Sequence, residues 1–503
     1  MAGLVIDSIE IDNRNIYDLT DERYRNLLFR AANRLHLVTR DWVVRRELLF
    51  AVGEPFSPEL ADETARNLRT RLPFNDAWIE VQELAPGRLL VRVVTVDQWS
   101  LIGGLRSIHR DGNETDLRLG FEERNFLGRA QFFSFDYFWQ EKHPDFVQVA
   151  FRESRVMGQR YSVSLDYRSD PYYTIKSLSA GRPFYELAQR LTFGLAVQDE
   201  LIRERRFDDE GNLAAQWMNS GDELQLSAGF RFGPANRKVS LESEYKYYSS
   251  RVRDLYLDTS SATVELLPVD SSYHRFLVGS TYRLQSFIVE QRISGFGYHE
   301  DMTLGLRVSL AGGRAFRPDF KRHYYDLLLG GLAWSKKLGN NILRVEYGRA
   351  FWLKHAQELR HTSDLTVVWY NNRLSFVTLA LRSRYQSDRG GSFQRLVLGG
   401  KTGLRGHPTE HSAGNRLHIC NLESRFFTGL EILSIKVGAA LFWDAGRTWQ
   451  PDEALTARGY SMSVGGGLRL SLENLLRGEV IRIDGVYASE GRWELSFGTG
   501  QYF

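Results

Sequence analysis

The chain has a single cysteine, Cys420, so it holds no internal disulfide and its thiol content is silent about compartment. No stretch approaches eighteen consecutive apolar residues, which excludes a transmembrane helix. Charges nearly cancel: an excess of +3 over 503 residues is too small to argue for a nucleic-acid partner. The start, Met1-Ala2-Gly3-Leu4, lacks a basic segment followed by an apolar one. Taken literally this means a cytosolic protein, but a signal peptide already removed or truncated would leave the same start. No internal repeat of about 40 to 50 residues is present, which weakens a propeller reading.

What is plentiful is aromatic. Phe, Tyr and Trp make up 13% of the chain, a composition that favours strands and that a membrane barrel needs for its interface girdles. Forty-four glycines and twelve prolines supply many turns.

From Asp97 onward apolar and polar residues alternate with period two. Tyr161, Val163, Leu165 and Tyr167 share one face, and Ser162, Ser164, Asp166 and Arg168 the other. Leu191, Phe193, Leu195 and Val197 repeat the pattern, as do Leu224, Leu226, Ala228, Phe230 and Phe232, then Met302 to Leu310, then Met462 to Leu472. Short turns such as Gly233-Pro234-Ala235-Asn236 and Gly339-Asn340-Asn341 alternate with long polar connections, including Arg253 to Ser271 and Leu353 to Ser363. Short turns at one end and long loops at the other are the form of a transmembrane β-barrel, the all-strand architecture that satisfies its backbone in lipid. A soluble β protein would bury its apolar faces in a core. Here the polar faces carry Arg, Asp, Glu and Ser on strand after strand, which suits a wet lumen. A literal tally gives about twenty strands, fifteen before residue 403 and five after.

Residues 1–96 read differently. A loose strand over Leu4–Glu10 precedes a helix capped by Thr39 that carries Trp42, Val43, Leu48 and Leu49 and stops at Gly53. Ser57-Pro58 starts a second helix with Leu60, Ala61, Ala65, Leu68 and Leu72 at helical spacing. A hairpin turning at Pro86-Gly87 follows. The order β-α-α-β-β resembles a POTRA domain of the BamA/TamA-type outer-membrane assembly family, an order that unrelated small α+β domains also share.

The segment Gly403-Leu404-Arg405-Gly406-His407-Pro408 sits in a long polar, Gly-rich loop, around residues 386–415. An arginine flanked by glycines can be carried into a tight space, where its planar fork binds carboxylates. Asp444 shares a face with Phe442 and Gly446 opposite Ala439, Leu441 and Trp443, so it points into the lumen. Glu423 shares parity with Asn421 and Arg425 but also with Leu417 and Ile419, which leaves its direction open. Arg405 is expected to pair with Asp444 and Glu423 and to pin the loop inside the barrel, with Asp444 the surer partner. This segment resembles the arginine-glycine loop motif of the BamA/TamA-type family, with His407-Pro408 in place of its usual aromatic. Phe442-x-Asp444-x-Gly446 is similar to that family's downstream strand motif, Glu423 lies where the family has an acidic residue, and Asn125-Phe126-Leu127-Gly128 resembles a turn near its first strands. The chain's end, Trp493 to Phe503, looks like the aromatic-terminated strand by which outer-membrane barrels are recognised for insertion, with Thr499 and Gln501 departing from the pattern.

The resemblance implies sixteen strands and a bacterial outer-membrane protein whose N-terminal module lies in the periplasm. It implies a barrel of residues 97–503 that inserts or translocates unfolded outer-membrane or secreted clients. A weak seam would join the first strand, about Trp99 to His109 and including Leu101, to the last, Glu494 to Phe503, with Leu495, Phe497 and Phe503 on it. Periplasmic or lipoprotein partners are implied; a cofactor, a metal and an enzymatic activity are not. Rival readings are a two-partner secretion transporter and a passive porin or surface antigen. Two further motifs are read as loops. His407-Pro408-Thr409-Glu410-His411 fits the H-x-x-E-H zinc pattern, but Pro408 and Ser412-Ala413-Gly414-Asn415 oppose the helix such a site needs. Asn113-Glu114-Thr115 fits a glycosylation sequon.

Overall fold

The computed structural model describes residues 2–503 except 111–113, 141–144, 170–172, 208–212, 258–269, 318–323, 355–356, 391–395, 401, 409–410, 451–452, 455, 457 and 473–479. The glycosylation-like Asn113 and the Thr409-Glu410 pair of the zinc-like motif lie outside the described residues. Alternation builds one antiparallel sheet of twenty strands in ring order, beginning with Leu101–Arg110 and ending with Trp493–Thr499. Fifteen strands precede the loop and five follow it. The sixteen strands that the family resemblance implied are corrected to twenty, because the alternating segments all find neighbours in the sheet and none folds away as a loop.

Side chains leave the two faces as the pleat requires. Leu191, Phe193, Leu195, Val197, Leu226, Phe230, Phe276, Leu332, Leu441, Val464 and Leu468 are exposed on the outer wall. The residues between them meet across the interior: Glu223 pairs with Lys246 at 2.7 Å, and Gln225 donates to Glu244 at 3.0 Å. Leu304 departs from the outward set: it is buried against Ile293 and Ile342.

Strands run further than expected from their polarity. Arg237–Leu257 runs into the start of the connection expected over Arg253–Ser271, and Asn341–Lys354 with Gln357–Leu374 take up most of that over Leu353–Ser363. A strand that projects beyond an apolar belt meets water on both sides, so polar residues on both faces no longer mark a loop.

The N-terminal module packs the helices Asp41–Arg45 and Pro58–Arg71 on a three-stranded sheet. Val5–Arg14 pairs parallel with Arg88–Asp97, which pairs antiparallel with Phe74–Ala85. Ile6, Val44, Phe56, Leu68, Phe74, Leu89 and Val91 form its core. Ser57 Oγ accepts the Leu60 N–H and caps the helix Pro58–Arg71. Two local expectations are corrected. Thr39 is no cap: its N–H donates to Asp97 and its hydroxyl accepts from Asn125, and the helix is only Asp41–Arg45, with Leu48 and Leu49 beyond it. An additional helix, Leu27–Leu35, was not expected: it carries Leu27, Leu28, Ala31 and Leu35 at helical spacing, leaves that face exposed and buries only Phe29.

The module sits on the short-turn end of the barrel. Asn125 donates to the Leu37 carbonyl and the Thr39 hydroxyl, both at 3.0 Å, and accepts the Ala130 N–H, so the Asn125–Gly128 turn is a docking point. Arg69 grips Asp301 with two nitrogens, and buried Arg155 grips buried Glu47 across the same boundary, with Nε 2.9 Å from Oε1.

Candidate functional site: the arginine loop in the barrel lumen

The loop between Val377–Arg389 and Arg416–Ile432 folds inward as a small ribbon, Leu396–Leu398 paired with Ser412–Gly414. Its tip is tightened by the Gly399 carbonyl, which accepts the N–H groups of Gly403 and Leu404. Gly406 turns the chain at φ 78°, and a Cβ there would fall 2.7 Å from Val486 Cγ1, so a side chain is excluded both by conformation and by the wall.

Arg405, 2% exposed, binds Asp444 bidentately through Nε at 2.7 Å and Nη2 at 2.8 Å, and Glu423 through Nη1 at 2.8 Å. Its backbone N–H also points at Asp444, at 3.3 Å. The guanidinium lies between two rings, Phe442 at 3.5 Å and Tyr502 at 4.1 Å. Burial by itself would lower the pKa of this guanidinium; Asp444 and then Glu423 more than reverse it, so the charge is held well above its ordinary strength. Such a group cannot deprotonate or transfer a proton, and its chemistry is that of a permanent clamp.

Leu404 is fully buried with Leu398, Leu417 and Ile419 in a dry patch inside the lumen. That patch resolves the parity of Glu423: Leu417 and Ile419 face inward with it because the loop covers them. Gly446 lies beneath Leu398 Cδ1, which leaves 2.8 Å for a Cβ.

Other polar residues complete the cluster. Asn421 donates to Asp444 and to the Gly403 carbonyl, both at 2.7 Å, and accepts from Arg382. Arg425 binds Glu423 at 2.9 Å, and Arg469 binds Asp484 at 2.5 Å while standing 3.8 Å from Glu423. Sequence reasoning had Asn421 and Arg425 in view only as neighbours of Glu423, and missed Arg382, Arg469 and Asp484. Shared inward parity around Glu423 was a usable signal; the long-range pairs carried none.

The two ends of the barrel differ from expectation. The last strand stops at Thr499, and Gly500, at φ 73°, turns the chain into the lumen. Tyr502 donates to the Gly400 carbonyl at 2.8 Å, and the Phe503 ring lies 5.1 Å from the Arg382 guanidinium. Phe503 therefore leaves the seam, because the arginine cluster offers its ring a cationic partner and Gly500 permits the turn. Trp99 leaves it too: it precedes the first strand and packs on Ile16, Tyr17 and Phe29 of the module. Leu101, Leu495 and Phe497 remain, all exposed on the two edge strands.

Ring order puts these two strands side by side. The other nineteen junctions each carry a residue-by-residue antiparallel register. The last strand closes the ring against the first and is only seven residues long.

The loop also brings its two histidines together, with ring centroids 4.5 Å apart, next to Glu490 in the turn before the last strand. Burial holds the His407 imidazole below the usual histidine range, in its neutral form.

No protein-family model matches the chain, and no curated protein does. Among solved structures, the crystal structure of BamA from Haemophilus ducreyi lacking POTRA domains 1–3 is similar over 99% of this chain and 84% of that one, at 12% identity and a TM-score of 0.40. CdiB from Acinetobacter baumannii is similar over 99% and 73%, at 12% identity and a TM-score of 0.45. CdiB from Escherichia coli is similar over 99% and 76%, at 11% identity and a TM-score of 0.45.

Proposed function

We propose that this chain is a bacterial outer-membrane β-barrel that inserts or translocates unfolded protein clients, with its N-terminal module, a POTRA-like domain of residues 1–96, in the periplasm. The outer wall supports the membrane setting: an exposed belt of Leu, Phe and Val around a strand ring lined by ion pairs suits lipid outside and water within. Three of the strands, of 20, 21 and 20 residues, are about twice the 9–11 residues that cross a bilayer, so the wall stands well clear of it.

The junction between Leu101–Arg110 and Trp493–Thr499 carries the functional reading. A last strand of seven residues can be held to the first by few backbone bonds, and an edge opened there would present backbone donors and acceptors on which a client strand can pair. The module's sheet order leaves Val5–Arg14 and Phe74–Ala85 as edges, where an extended client can add as a further strand. Arg405, Glu423 and Asp444 serve as a structural lock that keeps the loop in the lumen and the wall rigid while the seam opens. The reading needs no catalytic residue and no cofactor. Accessory periplasmic or lipoprotein partners belong to the same reading.

Reconstituted in liposomes, the purified barrel is expected to speed insertion of an unfolded client barrel while conducting few ions at rest. Steady conductance without faster insertion would instead make it a passive pore. Client delivered across the membrane and released would assign it to secretion. The loop and Tyr502 inside the lumen favour the first outcome over the open pore.

A further inference from the structure

The turn Ser489–Arg492 and the inward loop meet at the barrel end away from the module, and there His407, His411 and Glu490 converge. Their nearest ligand atoms all lie within 4.8 Å of one another. His407 Nδ1 stands 3.8 Å from Glu490 Oε1, and His411 Nε2 stands 3.4 Å from the same oxygen. Ligand atoms about 2.0–2.1 Å from a tetrahedral zinc ion are about 3.3–3.4 Å apart, so the two separations from Glu490 already stand within a few tenths of an ångström of that spacing, and side-chain rotation would complete the site.

One atom in the group is unexplained by the protein alone. His407 has a fully buried side chain, and its Nδ1 has no hydrogen-bond partner. Its other nitrogen, Nε2, lies 3.3 Å from the Met462 carbonyl. A carbonyl can only accept, so Nε2 carries the proton and Nδ1 presents a lone pair toward His411 and Glu490. A ring N–H on a backbone carbonyl, with the opposite nitrogen free, is the arrangement that orients histidines toward metals. His411 Nε2 also meets Ser461 Oγ at 2.8 Å, a contact it would give up to an ion. The Glu490 carboxylate is about half exposed, which leaves an entry path and room for a water ligand. Arg492, the nearest cation on this turn, is directed to the Gly406 carbonyl and Glu494.

We propose that His407, His411 and Glu490 bind a divalent first-row metal ion of the zinc type, which clips the inward loop to the turn that leads into the last strand. Two imidazoles and one carboxylate are a donor set suited to zinc. The spacing first suggested a helical zinc motif; the loop brings the two histidines together without a helix, and the third ligand comes from the far end of the sequence.

The test uses the tag-free full chain in detergent micelles, stripped with chelator and titrated with zinc chloride in a calorimeter. One ion per chain is expected. His411→Gln and Glu490→Gln, both at the water-exposed side of the group, are each expected to weaken binding by at least the roughly tenfold that losing even an outer partner costs. Retained heat-modifiable gel mobility shows that both variants are folded. Absence of stoichiometric binding to the parent, or equal affinity in the parent and both variants, would overturn the site.

Discussion

Arg405→Ala is expected to destabilise the barrel by about 3–5 kcal/mol, read as a drop in the urea midpoint of the folded band on semi-native gels. Asp444 and Glu423 are both fully buried, and the substitution strips a bidentate partner from the first and one of three arginines from the second. Asp444 then keeps only Asn421 and a backbone N–H, so most of the cost falls there. The space between the Phe442 and Tyr502 rings empties as well, and the Leu398–Leu404 patch loses its anchor. Arg405→Lys should recover part of the loss and no more, because an ammonium keeps the charge but cannot reach two carboxylates in one plane. Pairing predicts that Arg405→Ala and Asp444→Ala together cost less than the sum of each alone. Additive losses would remove the lock.

The second large effect lies at the other end of the barrel. Arg155→Ala should cost about 3 kcal/mol and release the N-terminal module, seen as faster proteolysis around the Asp97–Leu101 junction. Glu47 is 1% exposed and would keep only the Tyr185 hydroxyl and Arg46, whose Nε lies 3.5 Å away. Removing Glu47 as well should be milder than removing Arg155 alone, since no buried charge is then stranded. Arg92→Ala, which breaks an exposed pair with Glu10, should cost at most about 1 kcal/mol and leave the module in place. Equal sensitivity at the two sites would mean that the buried pair does not hold the module.

Much of this architecture was readable from residue order alone. A pleated wall with an apolar outer face and a polar inner one enforces strict alternation, so the strands could be counted at twenty and the inward direction of Asp444 inferred from Leu441 and Trp443 beside it. Reading failed where a second layer covers the wall. Leu417 and Ile419 obscured the direction of Glu423 because the loop makes a local dry patch of a lumen that is otherwise wet. It failed also where one glycine redirects the chain: Phe503 continues the outward parity of Trp493, Leu495 and Phe497 in sequence, but Gly500 turns it and Tyr502 onto the arginine cluster. Helix Leu27–Leu35 was missed although Leu27, Leu28, Ala31 and Leu35 recur at helical spacing; that apolar face is left exposed.

Cross-linking the seam is the most direct measurement of the account. With Cys420→Ser as background, one cysteine is placed on Leu101–Arg110 and one on Trp493–Thr499, and the oxidised barrel is assayed in liposomes with an unfolded client. The prediction is that the cross-linked barrel stays folded, that client insertion falls to the rate of empty liposomes, and that reduction restores it. A cross-linked barrel that inserts its client as fast as the reduced one would contradict the assignment of function to that junction.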